Sequence, residues 1–208
     1  MSEDVSTDAT TNDAAQAARQ AARSAAVAAK RASVDVALLT NAQRNDILST
    51  MARALRDEVD VILEANDDDM VAARQKGTKE SLLDRLMLNN QRVFDMATAL
   101  EDLASLPDPL GRILDHRKRY NGLDLTRVTV PMGVVAMVYE ARPNVTADAA
   151  GICLKSGNAC VLRGGSLASR SCAAIAAILE RAAVSAGAPA GCISFVDAVD
   201  HAATDELM

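Results

Sequence analysis

The sequence predicts an α/β protein in which an N-terminal helical layer and a β-hairpin precede a doubly wound parallel sheet, truncated after its third strand. Three observations predict this order. Apolar residues recur at three- and four-residue steps before Pro107, and an Asn121-Gly122 pair then separates two short β-like segments. From Gly133 onward, apolar runs alternate with helical segments, which is typical of a parallel sheet.

Composition and charge exclude several kinds of partner. The 208 residues carry a formal net charge of −6, whereas a nucleic-acid-binding face needs a basic stripe, so we expect no nucleic acid. No apolar run approaches the ~20 residues that cross a bilayer, so we expect no membrane partner. The acidic, polar start MSEDVSTDATTND lacks the features of a signal peptide, which predicts a cytoplasmic location.

The cysteines lack the Cys-x-x-Cys spacing of a metal site. In the reducing cytosol they are expected to be free thiols, and free cysteine is among the residue types most often buried. We therefore predict no metal site and expect small core residues at Cys153, Cys160, Cys172 and Cys192.

The N-terminal half is predicted to be helical. Residues 1–12 are rich in Ser, Thr and Asp and are predicted to form a disordered leader, followed by a helical region over residues 13–110. An apolar stripe that starts at Ile47 predicts one long buried helix, which runs into Asn66-Asp67-Asp68-Asp69. These acids lack the alternate spacing of a Ca²⁺ loop, so we interpret them as a solvated helix segment or connection.

A hairpin is predicted over residues 111–130. Asn and Gly both accept positive φ, so Asn121-Gly122 predicts a type I′ turn. The second strand alternates without a clean apolar face. Two interpretations stay open, namely a projecting arm that meets a partner subunit and an ordinary edge hairpin.

Residues 131–208 predict a partial α/β domain. The runs VVAMVYE, ACVLR and CISFVDA read as three buried strands, with helical segments after the first two. The chain then ends within a further strand–helix unit, so we expect it to be part of a longer polypeptide.

Two loops follow the first two strands of this domain, where ligands of such sheets bind. In the second loop, Arg163 precedes Gly164, Gly165 and Ser166, and this set could bind a phosphate or form an ordinary turn with a surface arginine. In the first loop, Asn144 could be a helix N-cap or an amide donor aimed at an oxyanion.

The chain resembles the γ-glutamyl phosphate reductase family, also called glutamate-5-semialdehyde dehydrogenases, of the aldehyde dehydrogenase superfamily. The resemblance rests on DRLMLNNQRVFDMATALEDLASLPDPLG (84–111) and VPMGVVAMVYEARPNVTADAAGICLKSGNACVLRGGS (130–166), and it extends over almost everything after about residue 33. It implies that residues 131–208 form part of an aldehyde dehydrogenase-like NADP-binding domain.

The resemblance also implies a reaction, the NADPH-dependent reduction of L-glutamate 5-phosphate to L-glutamate 5-semialdehyde and phosphate in proline biosynthesis. A catalytic cysteine of this family displaces phosphate to form a thioester. Asn144 matches the family's oxyanion donor. Arg163, Gly164, Gly165 and Ser166 match its cofactor loop, and a serine where NAD-preferring relatives often carry an acid favours NADP(H).

The resemblance places the nucleophilic cysteine in a separate catalytic domain, so this chain alone is expected to be inactive. Two alternatives remain. One is another aldehyde dehydrogenase-type enzyme that acts on a different acyl substrate. The other is a non-catalytic nucleotide-binding or oligomerisation fragment, and a homo-oligomer is among the expectations.

Overall fold

A computed structural model describes residues 4–197 and 202–208. These residues form eight α-helices and five β-strands. The helices are α1 (Asp4–Val36), α2 (Asn41–Asp57), α3 (Val59–Gln75), α4 (Glu80–Leu86), α5 (Asn90–Ser105), α6 (Asn144–Lys155), α7 (Ser169–Ser185) and α8 (Ala202–Leu207). The strands are β1 (Ile113–Lys118), β2 (Asp124–Val128), β3 (Val134–Val138), β4 (Ala159–Arg163) and β5 (Ile193–Phe195), and Ser166–Ala168 forms a 3₁₀ turn.

The parallel sheet has the order β3-β4-β5, so the predicted α/β fold class is confirmed. Every residue of the central strand β4 is buried, because helices cover both faces of the sheet. Cys160 and Leu162 belong to a core shared with α6 and α7, and beyond them with α2 and α5. Ala159 and Val161 face the other way, toward α1 and α8.

Helix α1 covers the outer face of the sheet with small side chains. Its buried positions include Ala18, Ala22 and Ala29, and alanine lets a helix lie close to a strand. The helix begins at Asp4, so the expectation of a disordered leader over residues 1–12 is wrong for residues 4–12. The alanine-rich segment extends its helix N-terminally, where acidic residues are favourable. Residues 1–3 lie outside the described residues.

The stripe that predicts one long helix is divided between two. The backbone leaves helical geometry at Glu58, where φ is −109° and ψ is 26°, and α2 ends there. After this break the buried face of α3 continues through Ile62 to Asn66 and Asp69. The polar segment that was expected to be solvated is therefore partly turned into the protein.

Strands β1 and β2 form a separate antiparallel sheet whose residues are almost all exposed. Gly122 has φ +84°, but no described non-glycine residue has positive φ, so the predicted type I′ turn at Asn121-Gly122 is wrong. The N–H of Gly122 instead donates to the carbonyl oxygen of Arg119 at 3.0 Å. This is a three-residue loop in which Gly122 alone takes the left-handed conformation.

A buried ammonium joins three helices behind the sheet. Lys155 is only 3% exposed, and its Nζ donates to Asn41 Oδ1 at 3.2 Å, Asn45 Oδ1 at 2.7 Å and the carbonyl oxygen of Ala104 at 3.0 Å. Desolvation lowers the pKa of Lys155. These bonds fix the C-terminal end of α6 against α2 and α5.

The loop after α5 is held by a second buried cation. Arg44 is 2% exposed and donates to the carbonyl oxygen of Leu39 at 3.0 Å and to Asp108 Oδ1 at 2.6 Å. The same carboxylate oxygen accepts the N–H of Leu110 at 3.0 Å. The Leu-Pro-Asp-Pro segment is therefore tied to α2.

We predict that Lys155→Met will lower the free energy of unfolding by about 1–3 kcal/mol, because three partly buried acceptors lose their buried donor. Urea unfolding followed by circular dichroism measures this change. Lys118→Met is the matched control, since Lys118 lies exposed on β1 and its loss should change stability by less than about 0.5 kcal/mol. Equal effects in the two variants would contradict the prediction.

Candidate functional site

The two loops at the carboxyl end of the sheet touch each other through Gly165. A Cβ atom at this position would lie 2.8 Å from the backbone nitrogen of Ala141 and 3.1 Å from the carbonyl carbon of Glu140. The N–H of Tyr139 donates to the carbonyl oxygen of Arg163 at 3.1 Å and extends the strand pairing up to this contact. The loop after β3 and the loop after β4 are therefore held at a fixed separation, which only glycine permits.

Asn144 is the first residue of α6 rather than its N-cap. The N-cap is Pro143, whose φ of −57° and ψ of −36° are already helical and which makes no side-chain capping bond. The N-cap interpretation of Asn144 is therefore wrong. Its exposed amide nitrogen lies 3.4 Å from Asp148 Oδ2, which is a weak contact. Burial raises the pKa of the Asp148 carboxyl, and the Asn144 amide partly offsets that increase.

Asn144 lines an open cleft of about 500 Å³, which we call the Asn144 cleft. It lies between the α4–α5 region and the loop that leads into α6. Its lining residues are Asp84, Arg85, Met87, Leu88, Arg92, Asp95, Met96, Ala99, Arg142, Asn144 and Asp148. Three arginines and three aspartates make this a polar cleft that suits a charged small molecule.

The predicted cofactor residues lie on the other side of the loop contact. Arg163 ends β4 and is 7% exposed, so the interpretation as a surface arginine is wrong. Ser166 is exposed and lines a second cleft of about 320 Å³, the Ser166 cleft. Lys76 and Arg170 bring two cations to this cleft, and Asp69 and Asp197 bring two carboxylates.

Two backbone N–H groups in the first turn of α7 are hydrogen-bonded to the side chain of Asp69. The carboxylate of Asp69 accepts the Ser171 N–H at 2.8 Å, the Ser171 hydroxyl at 2.7 Å and, more weakly, the Arg170 N–H at 3.4 Å. These N–H groups are therefore directed at Asp69. A phosphate in the Ser166 cleft would depend on side chains.

Asn66 completes this buried network. Its amide nitrogen donates to the carbonyl oxygen of Leu86 at 2.9 Å and to Ser171 Oγ at 3.0 Å, and its amide oxygen accepts the N–H of Leu88 at 2.7 Å. The sequence interpretation missed both Asn66 and Asp69. Their spacing from Ile62, four and seven residues, places all three on one helix face and was the available signal.

All four cysteines are buried, as expected. Burial raises the pKa of Cys172 to about 11 and that of Cys192 to about 12, so both are neutral thiols near pH 7. A hydrogen bond between Cys153 and Cys160 lowers the pKa of Cys153 and, together with burial, raises that of Cys160. Within the described residues, no cysteine lines the Asn144 cleft or the Ser166 cleft.

The described residues contain neither a candidate membrane-spanning helix nor a candidate metal cluster. No described helix is both long enough and apolar enough to cross a membrane. Among residues 4–197 and 202–208, no group of three or more His, Cys, Asp and Glu side chains could hold a metal ion. His201 lies outside these ranges.

Comparison with known proteins identifies the class. The model of the aldehyde dehydrogenase family matches residues 2–208, and the chain belongs to this family. An acetylating aldehyde dehydrogenase from Geobacillus thermoglucosidasius shares its fold, with a TM-score of 0.69 at 23% identity over 93% of this chain and 40% of that one.

Within this family the chain is similar to γ-glutamyl phosphate reductases, so the resemblance predicted from the sequence is confirmed. It is 49% identical to the enzyme of Moorella thermoacetica over 180 residues, which cover 86% of this chain and 43% of that protein. The structure of the Thermotoga maritima enzyme superposes with a TM-score of 0.86 at 36% identity, covering 89% of this chain and 45% of that one. The structure of the Saccharomyces cerevisiae enzyme superposes with a TM-score of 0.81 at 31% identity, covering 90% of this chain and 49% of that one. The chain thus spans less than half the length of these relatives.

We predict that Gly165→Ala will lower the free energy of unfolding by about 1–3 kcal/mol, because the new Cβ would meet backbone atoms that cannot move independently. The φ of −66° at Gly165 suits alanine, so this loss would come from the close contact alone. Urea unfolding measures it.

Gly164→Ala is the matched control for Gly165→Ala. Its Cβ would lie 2.9 Å from Cys172 Sγ, a side-chain atom that can shift, so we expect a smaller loss. A larger loss at Gly164 than at Gly165 would show that the loop contact is not the tighter constraint.

Proposed function

We propose that this chain forms the N-terminal part of an NADPH-dependent reductase that converts L-glutamate 5-phosphate to L-glutamate 5-semialdehyde and phosphate, a step of proline biosynthesis in the cytoplasm. The observation that carries the proposal is the position of Asn144. Its exposed amide stands in a polar cleft, and the Gly165 contact joins its loop to the loop that carries Ser166. The similarity to γ-glutamyl phosphate reductases supports the choice of reaction.

The role proposed for Asn144 is that of an oxyanion donor. Attack of a thiolate on the acyl phosphate forms a tetrahedral oxyanion, which collapses to a thioester and releases phosphate. A second oxyanion forms when the thioester is reduced, and its collapse gives the aldehyde and regenerates the thiolate. The amide N–H of Asn144 would donate to both oxyanions, since its 3.4 Å contact with Asp148 is too long to compete strongly.

The nucleophile is assigned to a cysteine outside this chain. The cysteines present here are buried and line neither cleft, and raised pKa values keep Cys172 and Cys192 protonated. In this proposal the chain contributes the oxyanion donor and one wall of the substrate cleft, and it does not turn over substrate by itself.

The Ser166 cleft is the proposed site for the adenosine end of NADP(H), which supplies the hydride when bound. The residues fit the group by their chemistry. The hydroxyl of Ser166 carries no charge that would repel a 2′-phosphate. Lys76 and Arg170 line the same cleft and balance the carboxylates of Asp69 and Asp197, of which Asp69 is already hydrogen-bonded to Ser171. Arg163, buried at the end of β4, and the glycines Gly164 and Gly165 would position this loop.

A second candidate function is suggested by the exposed hairpin. Four residues on and beside β2 are between 42% and 69% exposed, namely Leu123, Leu125, Val128 and Val130. Within the part of the chain that the structure describes, β1 and β2 pair only with each other. Such a surface suits association with another subunit. This candidate is compatible with the reductase proposal, since no residue of β1 or β2 lines either cleft.

We predict that Asn144→Ala will lower kcat by about 10²–10³-fold, because one oxyanion donor is lost. The assay uses a chimera in which this chain replaces the matching segment of the Moorella thermoacetica enzyme, with NADPH oxidation followed by absorbance. Gln20→Ala is the control, since Gln20 is an exposed amide on α1 that lines neither cleft, and it should leave kcat nearly unchanged. An unchanged kcat in Asn144→Ala, or a fall confined to the melting temperature, would exclude the oxyanion role.

We predict that Ser166→Glu will weaken NADPH binding relative to NADH binding by about 10-fold or more, because the new carboxylate would repel the 2′-phosphate. Calorimetry with both dinucleotides measures the ratio. Ser166→Gln has a similar size without the charge and should keep most of the NADPH preference. If Glu and Gln changed the ratio equally, charge at this position would not determine cofactor choice.

A further inference from the structure

We infer that Arg142 is the anion-recognition residue of the Asn144 cleft and binds an oxyanion group of the substrate through its two terminal guanidinium nitrogens. This inference rests on the proposed function of the same cleft and adds a specificity-determining residue to it. It is carried by the hydrogen bonding of the three arginines that line the cleft.

Arg92 is committed to the fold. Its Nη1 donates to the carbonyl oxygen of Met87 at 2.6 Å, and its Nη2 lies 3.0 Å from Asp84 Oδ1. These bonds connect α5 to the end of α4. A guanidinium whose donors are used in this way cannot turn toward a ligand without breaking the wall of the cleft.

Arg142 and Arg85 share one carboxylate. Arg142 Nε lies 2.6 Å from Glu140 Oε1, and Arg85 Nη1 lies 3.7 Å from the same oxygen. Two cations on one anion leave a net positive charge at this end of the cleft. The side chains of Arg142 and Arg85 are 42% and 48% exposed, so both reach solvent.

The contact between Arg142 and Glu140 orients the guanidinium without using its outer edge. The buried Nε is close to the carboxylate but its N–H is not aligned for a hydrogen bond, so the contact is an ion pair. Within the described part of the chain, Arg142 Nη1 and Nη2 have no hydrogen-bond partner. A planar guanidinium with both terminal nitrogens open is suited to bidentate binding of a phosphate or carboxylate.

The position of Arg142 in the chain favours it over Arg85. Only Pro143 separates it from Asn144, and the N–H of Val145 donates to the carbonyl oxygen of Arg142 at 3.1 Å. The backbone of Arg142 is thus part of the turn that starts α6. An anion bound by this residue would lie near the carbonyl group that Asn144 is proposed to polarise.

The other charges of the cleft fit a substrate with more than one charged group. Asp148 and Asp95 line it on the α6 and α5 sides, and Asp84 is paired with Arg92. Glutamate 5-phosphate carries a phosphate, a carboxylate and an ammonium group. The shared chemistry that Arg142 would recognise is an oxyanion, which the phosphate or the carboxylate could supply.

The test is a binding titration of the 208-residue chain with inorganic phosphate and, separately, with L-glutamate. The readout is the side-chain amide resonances of Asn144 in two-dimensional NMR, since Asn144 lines the same cleft and is present in the wild-type chain and in every Arg142 and Arg85 variant. These resonances are assigned by their loss in Asn144→Ala. We expect a saturable shift in the wild-type chain and an affinity at least about 10-fold lower in Arg142→Gln. Phosphate and glutamate distinguish the two sources, since the preferred group is the one whose affinity Arg142→Gln lowers.

Arg85→Gln is the matched control, because Arg85 lines the same cleft and faces the same Glu140. It should change either affinity by less than about threefold. Arg142→Lys keeps the positive charge but loses the planar guanidinium that binds an oxyanion through two nitrogens. Its anion affinity should lie between those of the wild type and Arg142→Gln. Unchanged amide spectra outside the cleft show that the variants fold.

The inference is overturned if neither anion shifts the Asn144 side-chain resonances saturably, if Arg142→Gln binds as well as the wild type, or if Arg85→Gln loses as much affinity as Arg142→Gln. Its failure is distinguishable from failure of the proposed function. Binding does not require turnover, so a loss of anion affinity in Arg142→Gln would stand even if Asn144→Ala left kcat unchanged. Normal anion affinity in Arg142→Gln would exclude Arg142 as the anion-binding residue and would leave the proposed function of the cleft unaffected.

Discussion

The buried hydrogen bonds of Asn66, Asp69 and Ser171 are the constraint on which the arrangement of both clefts depends. Asn66 on α3 binds the backbone at Leu86 and Leu88, and Leu88 lines the Asn144 cleft. Asp69, one helical turn further on, binds the first turn of α7 beside the Ser166 cleft. An unpaired buried polar group costs free energy of folding. Helix α3 can form all of these hydrogen bonds only when α4 and α7 both occupy their observed positions.

The contact at Gly165 fixes the same two clefts from the side of the sheet. It sets the distance between the loop that leads to Asn144 and the loop that carries Ser166. The buried ammonium of Lys155 holds the far end of α6, so the first turn of that helix is positioned from both directions. The exposed amide of Asn144 therefore belongs to a rigid element, which is what a preorganised oxyanion donor requires.

The parts of this structure that follow from local pattern could be predicted, and the parts that depend on distant partners could not. Alternating apolar and helical segments predict the β3-β4-β5 sheet, because buried parallel strands need continuous apolar runs. The expectation of three buried strands holds in full only for the central strand β4, since every residue of the edge strand β3 is partly or fully exposed. The burial of Asp69 depends on Ser171, which lies 102 residues away, and the run of three acids looks solvated without it. The prediction of a type I′ turn at Asn121-Gly122 is wrong because Asn-Gly is compatible with more than one loop length.

The contacts of two acidic side chains, Asp69 and Glu140, determine which groups near the clefts are open to an anion. Asp69 uses the N–H groups at the start of α7, so that helix end, a common phosphate site in α/β proteins, is closed to a ligand. Glu140 acts in the opposite way, because its ion pair orients Arg142 while leaving the terminal nitrogens of that residue open. At this edge of the sheet, an anion would therefore be bound by side chains and not by the backbone N–H groups at the start of α7. A guanidinium discriminates by geometry and charge, which suits an enzyme whose proposed substrate differs from free aldehydes in its phosphate.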